Sequence, residues 1–226
     1  MKAKLISYSQ APEGNDLFDG NPDLLDLVAF CARVSNPSNQ MNSETAEKLV
    51  RYLVKFKHWS PLEMVSACME VETTRDIARQ LLRHRSFSFQ EFSQRYADPT
   101  KDLTFETREA RLQDTKNRQN SIVCEDEYLN ERWEEEQLKV IEQAKRAYSW
   151  AIENGIAKEQ ARAVLPEGNT LSRLYVNGTL RSWIHYVELR GANGTQQEHI
   201  DLAIACADAI SQVFPMVLEY VGNDIA

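Results

Sequence analysis

No apolar run of 18 residues occurs in the chain, so it offers no membrane-spanning segment. The lysines of MKAKLISYSQ are not followed by the apolar stretch of an export signal, and a cytoplasmic location is expected. Glycine (8) and proline (7) are few among 226 residues, so no flexible linker is legible and one domain spanning 1–226 is expected. The four cysteines, Cys31, Cys68, Cys124 and Cys206, stand far apart with no CxxC pair. The four histidines, His58, His84, His185 and His199, make no HExxH. Without close-set ligand pairs, no metal site is expected. Neither GxGxxG nor GxxxxGK[ST] occurs, which removes the Rossmann fingerprint and the P-loop. Positive charge is also in deficit: the net charge of −8 opposes general attraction to nucleic acid or to an anionic membrane.

What is present reads as an ordinary folded chain, 42% hydrophobic and 27% charged, with ample length for a core. KAKLISYS alternates and predicts a first strand. DLLDLVAFCARVS has helical spacing. NSETAEKLVRYLVKF predicts a helix, with Asn42 and Ser43 as its candidate caps. Val65, Ala67, Met69 and Val71 alternate as in a strand. TRDIARQLLRH places Ile77, Ala78, Leu81 and Leu82 on one helical face. A long acidic helix is expected over Glu125–Asn154, with Trp133, Leu138, Ile141, Ala144, Tyr148 and Ile152 as its inward stripe and Asn154-Gly155 as its stop. KEQARAV, TLRSWIHYVELR and TQQEHIDLAIACADAISQVF complete the helices, the second with Leu180, Trp183, Ile184 and Val187 inward. The class is α+β: a helix-rich fold with a small, mostly antiparallel sheet.

Against the acidic background, one stretch is basic. Between Arg75 and Arg95 lie five arginines and His84, opposed only by Asp76 and Glu91. If the helix continues through RQLLRHR, Gln80 shares a face with Arg83 and His84, and Arg85 points elsewhere. Cations suit a helix C-terminus, and arginine forks match phosphate oxygens. In SFSFQEFSQRY, serines 86, 88 and 93 offer hydroxyls, Phe87, Phe89, Phe92 and Tyr96 offer faces for a flat ring, and Glu91 offers an acceptor. Phosphate donors, ring faces and a carboxylate together suit a nucleotide. The plainer alternative is a solvated arginine face with its phenylalanines in the core, and the segment alone leaves the two readings even. Farther on are Arg162, then Arg181, His185 and Glu188 along one helix face, then Arg190. His58 reads as a loop residue, and His199, beside Glu198, as surface.

Arg83-His84-Arg85, then Ser88, Glu91, Ser93, Arg95 and Tyr96, spell RHRxxSxxExSxRY, which resembles the signature of the flavin-dependent thymidylate synthases. The resemblance extends through Arg33–Ser35, HWSPLE at His58–Glu63, ARAVLP at Ala161 and LRSWIHYVELR at Leu180, covering about residues 27 to 215; Lys101–Asn130 matches nothing assignable. It implies that family's own α+β fold. It also implies conversion of dUMP to dTMP, with 5,10-methylenetetrahydrofolate as one-carbon donor, FAD as the hydride source, NADPH as the reductant that restores it, and tetrahydrofolate as the other product. A homotetramer with active sites shared between subunits is implied as well.

Carried over by position, the resemblance assigns FAD to Ser60, Arg83, His84, Arg85, Glu91, Arg181 and His185, with Asn177 and Thr179 competing for one further contact and Ser35 a similar one. It assigns dUMP to Gln80, Arg83, Glu91, Phe92, Ser93, Gln94, Arg95, Arg162 and Arg190. Arg190 is the catalytic candidate, because uracil C5 is a poor nucleophile until negative charge can build on the ring. A guanidinium at the N3/O2 edge stabilises that charge by about 3 kcal/mol.

The rival from another class is a non-catalytic module binding single-stranded nucleic acid through arginines and stacking aromatics. A third reading is a helical scaffold without chemistry. The enzyme reading expects a yellow protein whose NADPH oxidation responds to added dUMP. A colourless protein that ignores FAD and binds polynucleotide with steep salt dependence would select the rival.

Overall fold

The computed structural model describes residues 1–14, 18 and 20–222. In chain order its elements are β1 (Lys2–Tyr8), α1 (Leu24–Ala32), α2 (Ala46–Lys55), β2 (Ser66–Thr74), α3 (Arg75–Leu81), β3 (Ser88–Glu91), α4 (Pro99–Asp102), β4 (Arg111–Gln113), β5 (Ser121–Val123), α5 (Glu127–Glu153), α6 (Lys158–Ala161), β6 (Leu171–Thr179), α7 (Leu180–Gly191) and α8 (Gln197–Ser211). Four strands form an antiparallel sheet in the order β1-β2-β6-β3, and β4 and β5 form a separate small ribbon. Among the described residues no helix is long and apolar enough to cross a membrane.

The alternation of β2 works as expected: Ala67, Met69 and Val71 are buried on one face. On β6, Leu174 and Val176 continue that face. The opposite face is polar, with Glu72 paired to Arg173 at 3.4 Å and Tyr175 donating to Glu70 at 2.9 Å. The apolar face packs against α3, α7 and α8 in one core that includes Trp183, Tyr186, Leu202 and Phe214. The buried Trp183 keeps its indole N–H satisfied by donating to the Ala67 carbonyl at 3.0 Å, which ties α7 to β2.

Several local expectations are corrected. Helix α2 starts at Ala46, not at Asn42-Ser43. Its N-cap, Thr45, makes no side-chain cap bond, because its hydroxyl accepts instead from Arg33 at 2.7 Å. The helix closes with Lys57 at φ 59, Lys57 N–H donating to Val54 and His58 N–H to Leu53. That is a Schellman closure with lysine in the place glycine normally takes. It turns the chain sharply into the 3₁₀ turn Ser60–Glu63. Helix α5 ends as read, with Asn154 as cap and Gly155 at φ 76. Its stripe is narrower than expected. Ile141, Ala144 and Tyr148 are buried, but Trp133 and Leu138 are about half exposed (46% and 51%). Gln137 is the unexpected buried member, and its amide accepts from Arg108 N–H and donates to Arg108 C=O, both at 2.8 Å. Strands β3 to β6 had no counterpart in the sequence reading.

Helix α3 ends at Leu81, so Arg83 to Phe87 form a turn between α3 and β3 rather than a helical face. Phe87, offered as a stacking face, is instead core (7% exposed), with ring centroids 4.5 Å from Trp183 and 6.0 Å from Tyr186. It fits because β6 has glycine opposite: a Cβ on Gly178 would lie 2.3 Å from Phe87 Cδ1. Gly178→Ala should therefore cost about 1–3 kcal/mol, the usual penalty for overpacking a tight core. The check is the urea midpoint; a wild-type midpoint would mean the ring moves aside freely.

Candidate active site

The site gathers around the two places where strand runs directly into helix. Strand β2 becomes α3 at Thr74–Arg75, and β6 becomes α7 at Thr179–Leu180. The turn after α3 is pinned to α7 from beneath by Phe87 and at its side by Ser182, whose hydroxyl donates to the Ser86 carbonyl at 3.3 Å. Arginines 83 and 85 ride on this turn and are exposed. Among the described residues neither guanidinium has a hydrogen bond or an ion pair. The other basic groups nearby are neutralised: Arg79 by Glu167 at 2.5 Å, and Arg75 by Glu91 at 3.2 Å and Glu167 at 3.4 Å. Asp76 is held by Arg108 at 2.6 Å. The surplus of positive charge is thus concentrated on the RHR turn.

His84 behaves differently from its two neighbours. Its ring lies edge-on to Tyr186 at 5.2 Å, and its Nε2 accepts a hydrogen bond from Arg190 Nε at 2.9 Å. Burial first, and the Arg190 charge second, lower its pKa to about 4. His84 is therefore a neutral acceptor at neutral pH rather than a third cation of the turn. It fixes the Arg190 side chain at its Nε, while the two terminal nitrogens of that guanidinium have no partner among the described residues.

His199 is the larger correction. It was read as surface, yet it is fully buried. The reason was available in the sequence. His199 precedes Leu202, Ala203 and Cys206 by three, four and seven residues, so it lies on the buried stripe of α8. Its Nδ1 meets Gln80 Oε1 at 3.2 Å. Burial, then the charge of Arg190, then that of His84, lower its pKa to about 3.

The flavin candidates of the second cluster also converge. The 3₁₀ turn carrying Ser60 lies against α7: the Trp59 and His185 rings pack with centroids 4.4 Å apart at a tilt of 60°, and Arg181 is ion-paired with Glu63. Burial lowers the His185 pKa, Arg181 adds to the effect, and Glu188 opposes it. Asn177 and Thr179, the two competing candidates, stand in different surroundings. Thr179 is the N-cap of α7, its hydroxyl accepting from Ser182 N–H at 3.3 Å. Asn177 stands exposed on the outer face, in register with Ser88 of β3.

The remaining candidates form a phosphate-like corner and a carboxylate post. Arg95 Nε lies 3.5 Å from the Glu159 carboxylate, and Arg162 Nε donates to the Glu159 carbonyl at 3.3 Å, so the two arginines share one neighbour. Ser93 opens the turn that carries Arg95 and Tyr96. Phe92 and Ser93 are half-buried, whereas Gln94 is buried (4% exposed) with its Nε2 unpartnered. Glu91 receives Arg75 and Ser172, both at Oε1. Sequence reasoning missed Glu159, Trp59 and Tyr186, none of which stands out by type or spacing, and it counted Arg75 in the basic stretch without seeing its pairing with Glu91.

The donor set suits a flavin dinucleotide. Two unpaired guanidiniums on an exposed turn match a pyrophosphate.

The histidines also set an acid limit. Below pH 6.5, the ordinary histidine value, the unfolded chain takes up protons that folded His84 and His199 refuse until about 4 and about 3. Stability from these groups is complete above 6.5 and is lost as the pH falls through that window. His199→Asn should flatten the fall of the urea midpoint between pH 6.5 and 4. An unchanged slope would mean that the folded chain protonates His199 freely.

Comparison with known proteins gives a consistent picture. The family model described as thymidylate synthase complementing protein matches residues 16–216. A probable flavin-dependent thymidylate synthase of Paramecium bursaria Chlorella virus 1 is 48% identical over 217 residues, covering 96% of this chain and 97% of the viral protein. The flavin-dependent thymidylate synthase of a Synechocystis species is 46% identical over 218 residues, with coverage of 96% and 97%. Among solved structures, the UMP/dUMP methylase PolB of Streptomyces cacaoi, bound with 5-Br UMP, matches with a TM-score of 0.78 at 25% identity, covering 97% of this chain and 92% of that one.

Proposed function

The chain belongs to the flavin-dependent thymidylate synthase family, and from that premise we propose how its own residues carry the reaction. The protein converts dUMP to dTMP, taking the one-carbon unit from 5,10-methylenetetrahydrofolate with FAD as cofactor and NADPH as reductant. The observation that carries the reading is the likeness of nearly the whole chain to two such enzymes, joined to an RHR turn whose two guanidiniums have no carboxylate partner among the described residues.

Bound FAD supplies the redox chemistry; the protein supplies charge and orientation. Arg83 and Arg85 would neutralise its pyrophosphate, and Ser60, Asn177, Arg181 and His185 would hold its remaining polar groups. Arg95 and Arg162 would take the dUMP phosphate. The Arg95–Glu159 contact is half exposed, so it is weak and can yield to a phosphate that offers two negative charges. Ser93 and Gln94 would contact the same nucleotide from the adjoining turn, beside Phe92. Glu91, with Oε1 already engaged, would offer Oε2 to a sugar hydroxyl or to the flavin.

Arg190 is the residue proposed to act on the ring. Neutral His84 holds its Nε, so its terminal fork is oriented before substrate arrives. Aimed at the N3/O2 edge of uracil, the fork would stabilise the negative charge that makes C5 nucleophilic. This assigns His84 to positioning Arg190 and leaves the flavin phosphates to the two arginines on either side of it.

A homotetramer with shared sites is part of the proposal. It is supported by exposed apolar side chains on α5, where Val140 and Trp133 (53% and 46%) lie seven residues apart on one helix face. A cytoplasmic setting is supported by four free cysteines. The nucleic-acid-binding alternative is disfavoured by its aromatics. Phe87 is core, Phe89 and Phe92 are partly covered, and of the four faces only Tyr96 is open (78%).

Arg190→Ala should lower kcat for dTMP formation by about 10²–10³-fold, the loss typical of one oxyanion-type donor. FAD should stay bound. Arg85→Ala should instead weaken FAD while leaving folding intact. Near-normal turnover in the first variant, or full flavin retention in the second, would overturn the corresponding role.

A further inference from the structure

The polar chain behind Gln80 has a direction, and one carboxylate sets it. Gln196 Nε2 donates to Glu198 Oε2 at 2.8 Å, Gln80 Nε2 donates to Gln196 Oε1 at 2.9 Å, and His199 Nδ1 meets Gln80 Oε1 at 3.2 Å. A carboxylate only accepts, whereas an amide both donates and accepts. With Glu198 at the end, Gln196 must turn its NH₂ toward it and its oxygen toward Gln80. Gln80 must then turn its NH₂ toward Gln196 and its oxygen toward His199. His199 must carry its proton on Nδ1, which leaves Nε2 bare, and that nitrogen is buried without a partner. Each link determines the next, so the chain can run only one way.

Glu198 is itself anchored. Its Oε1 lies 3.8 Å from Arg108 Nε, and Arg108 is held by Asp76 at 2.6 Å and Thr74 at 2.8 Å. Arg108 belongs to the stretch Lys101–Asn130 that matched nothing in the sequence reading. The anchor therefore reaches the family's motif from outside it. Arg108 touches neither Gln80 nor the RHR turn; its effect passes through Glu198.

We propose that Glu198 is a positioning residue for the pyrimidine nucleotide, dictating through Gln196 which way Gln80 presents its carboxamide. This rests on the reading that Gln80 contacts dUMP. With one N–H and one oxygen lone pair already used, Gln80 has one of each left, and Glu198 decides where they point. A reversed amide would offer the nucleotide a donor where it needs an acceptor, and the converse.

The test exchanges the carboxylate and the amide. E198Q removes the directional end, so both amide orientations become available. KM for dUMP should rise about tenfold, the worth of one good hydrogen bond, with kcat, FAD content and melting temperature little changed. In Q196E/E198Q a carboxylate at position 196 again only accepts, Gln80 must again donate to it, and wild-type KM should return. A mere structural prop would not be restored by exchanging the two side chains. Wild-type KM in E198Q, or a folded, flavin-loaded double variant that stays impaired, would overturn the proposal. Nitrogen NMR of wild-type His199 is independent of the nucleotide: the Nδ1–H tautomer is expected, and the Nε2–H tautomer would overturn the chain. A wild-type protein with the expected tautomer that does not bind dUMP would instead sink the functional reading and leave the chain standing.

Discussion

Everything at the site hangs on the seating of Phe87 beneath the turn it terminates. The ring occupies the space that Gly178 leaves open on β6, and it packs on Trp183 and Tyr186 of α7. That contact joins two distant pieces of sequence, the end of α3 and the start of α7, and leaves the turn from Arg83 to Ser86 little freedom. Arg83 and Arg85 are held out toward solvent, and His84 is turned in toward Arg190. An aromatic side chain with two rotatable bonds does this at small entropic cost. The same alternation makes a cationic surface and a neutral, buried acceptor from three successive residues.

Charge placement follows from that seating. An acidic chain can still present local positive potential if its carboxylates are used elsewhere. Here Glu167 and Glu91 take Arg75 and Arg79 between them, and Arg108 takes Asp76. Within the stretch from Arg75 to Arg95, the arginines without an ion-pair partner among the described residues are Arg83 and Arg85, and the fork of Arg190 lies close to them through His84. Anionic ligands are then drawn to a small region, and the overall negative charge keeps long polyanions away. The buried histidines serve the same arrangement in the opposite sense. Kept neutral by burial and by Arg190, His84 accepts a hydrogen bond from the cation and His199 meets the Gln80 carboxamide oxygen, and neither adds to the repulsion among the arginines.

Periodicity made α1, α2, α5, α7 and α8 legible, because each must bury one stripe and the stripe is visible in the order of residues. It made β1 and β2 legible through alternation. It left β6 unread, although this is the strand between β2 and β3 and the one that carries Asn177. LSRLYVNGT alternates well enough, but its polar outer positions and its glycine make it look like a loop. The glycine proves to be a packing requirement. His199 failed for a related reason: its neighbour Glu198 suggested a polar face, and the spacing to Leu202, Ala203 and Cys206 was the better guide.

Residue order alone determined the helices, the acidic character with its single basic island, and the motif RHRxxSxxExSxRY with the chemistry it implies. Those are local properties, set by spacing along one segment, and they survive without knowing what lies opposite. Only the tertiary structure decided which arginines are neutralised, that His84 is an acceptor rather than a cation, that Thr179 caps a helix while Asn177 stays free, and that Glu198 governs Gln80. Most of these depend on burial or on a partner distant in the chain, Glu167 for Arg79, Arg190 for His84 and Gln196 for Gln80, which no single segment contains. Pairing and desolvation are properties of packed surfaces, so they become definite only when the sheet and its helices have closed on one another.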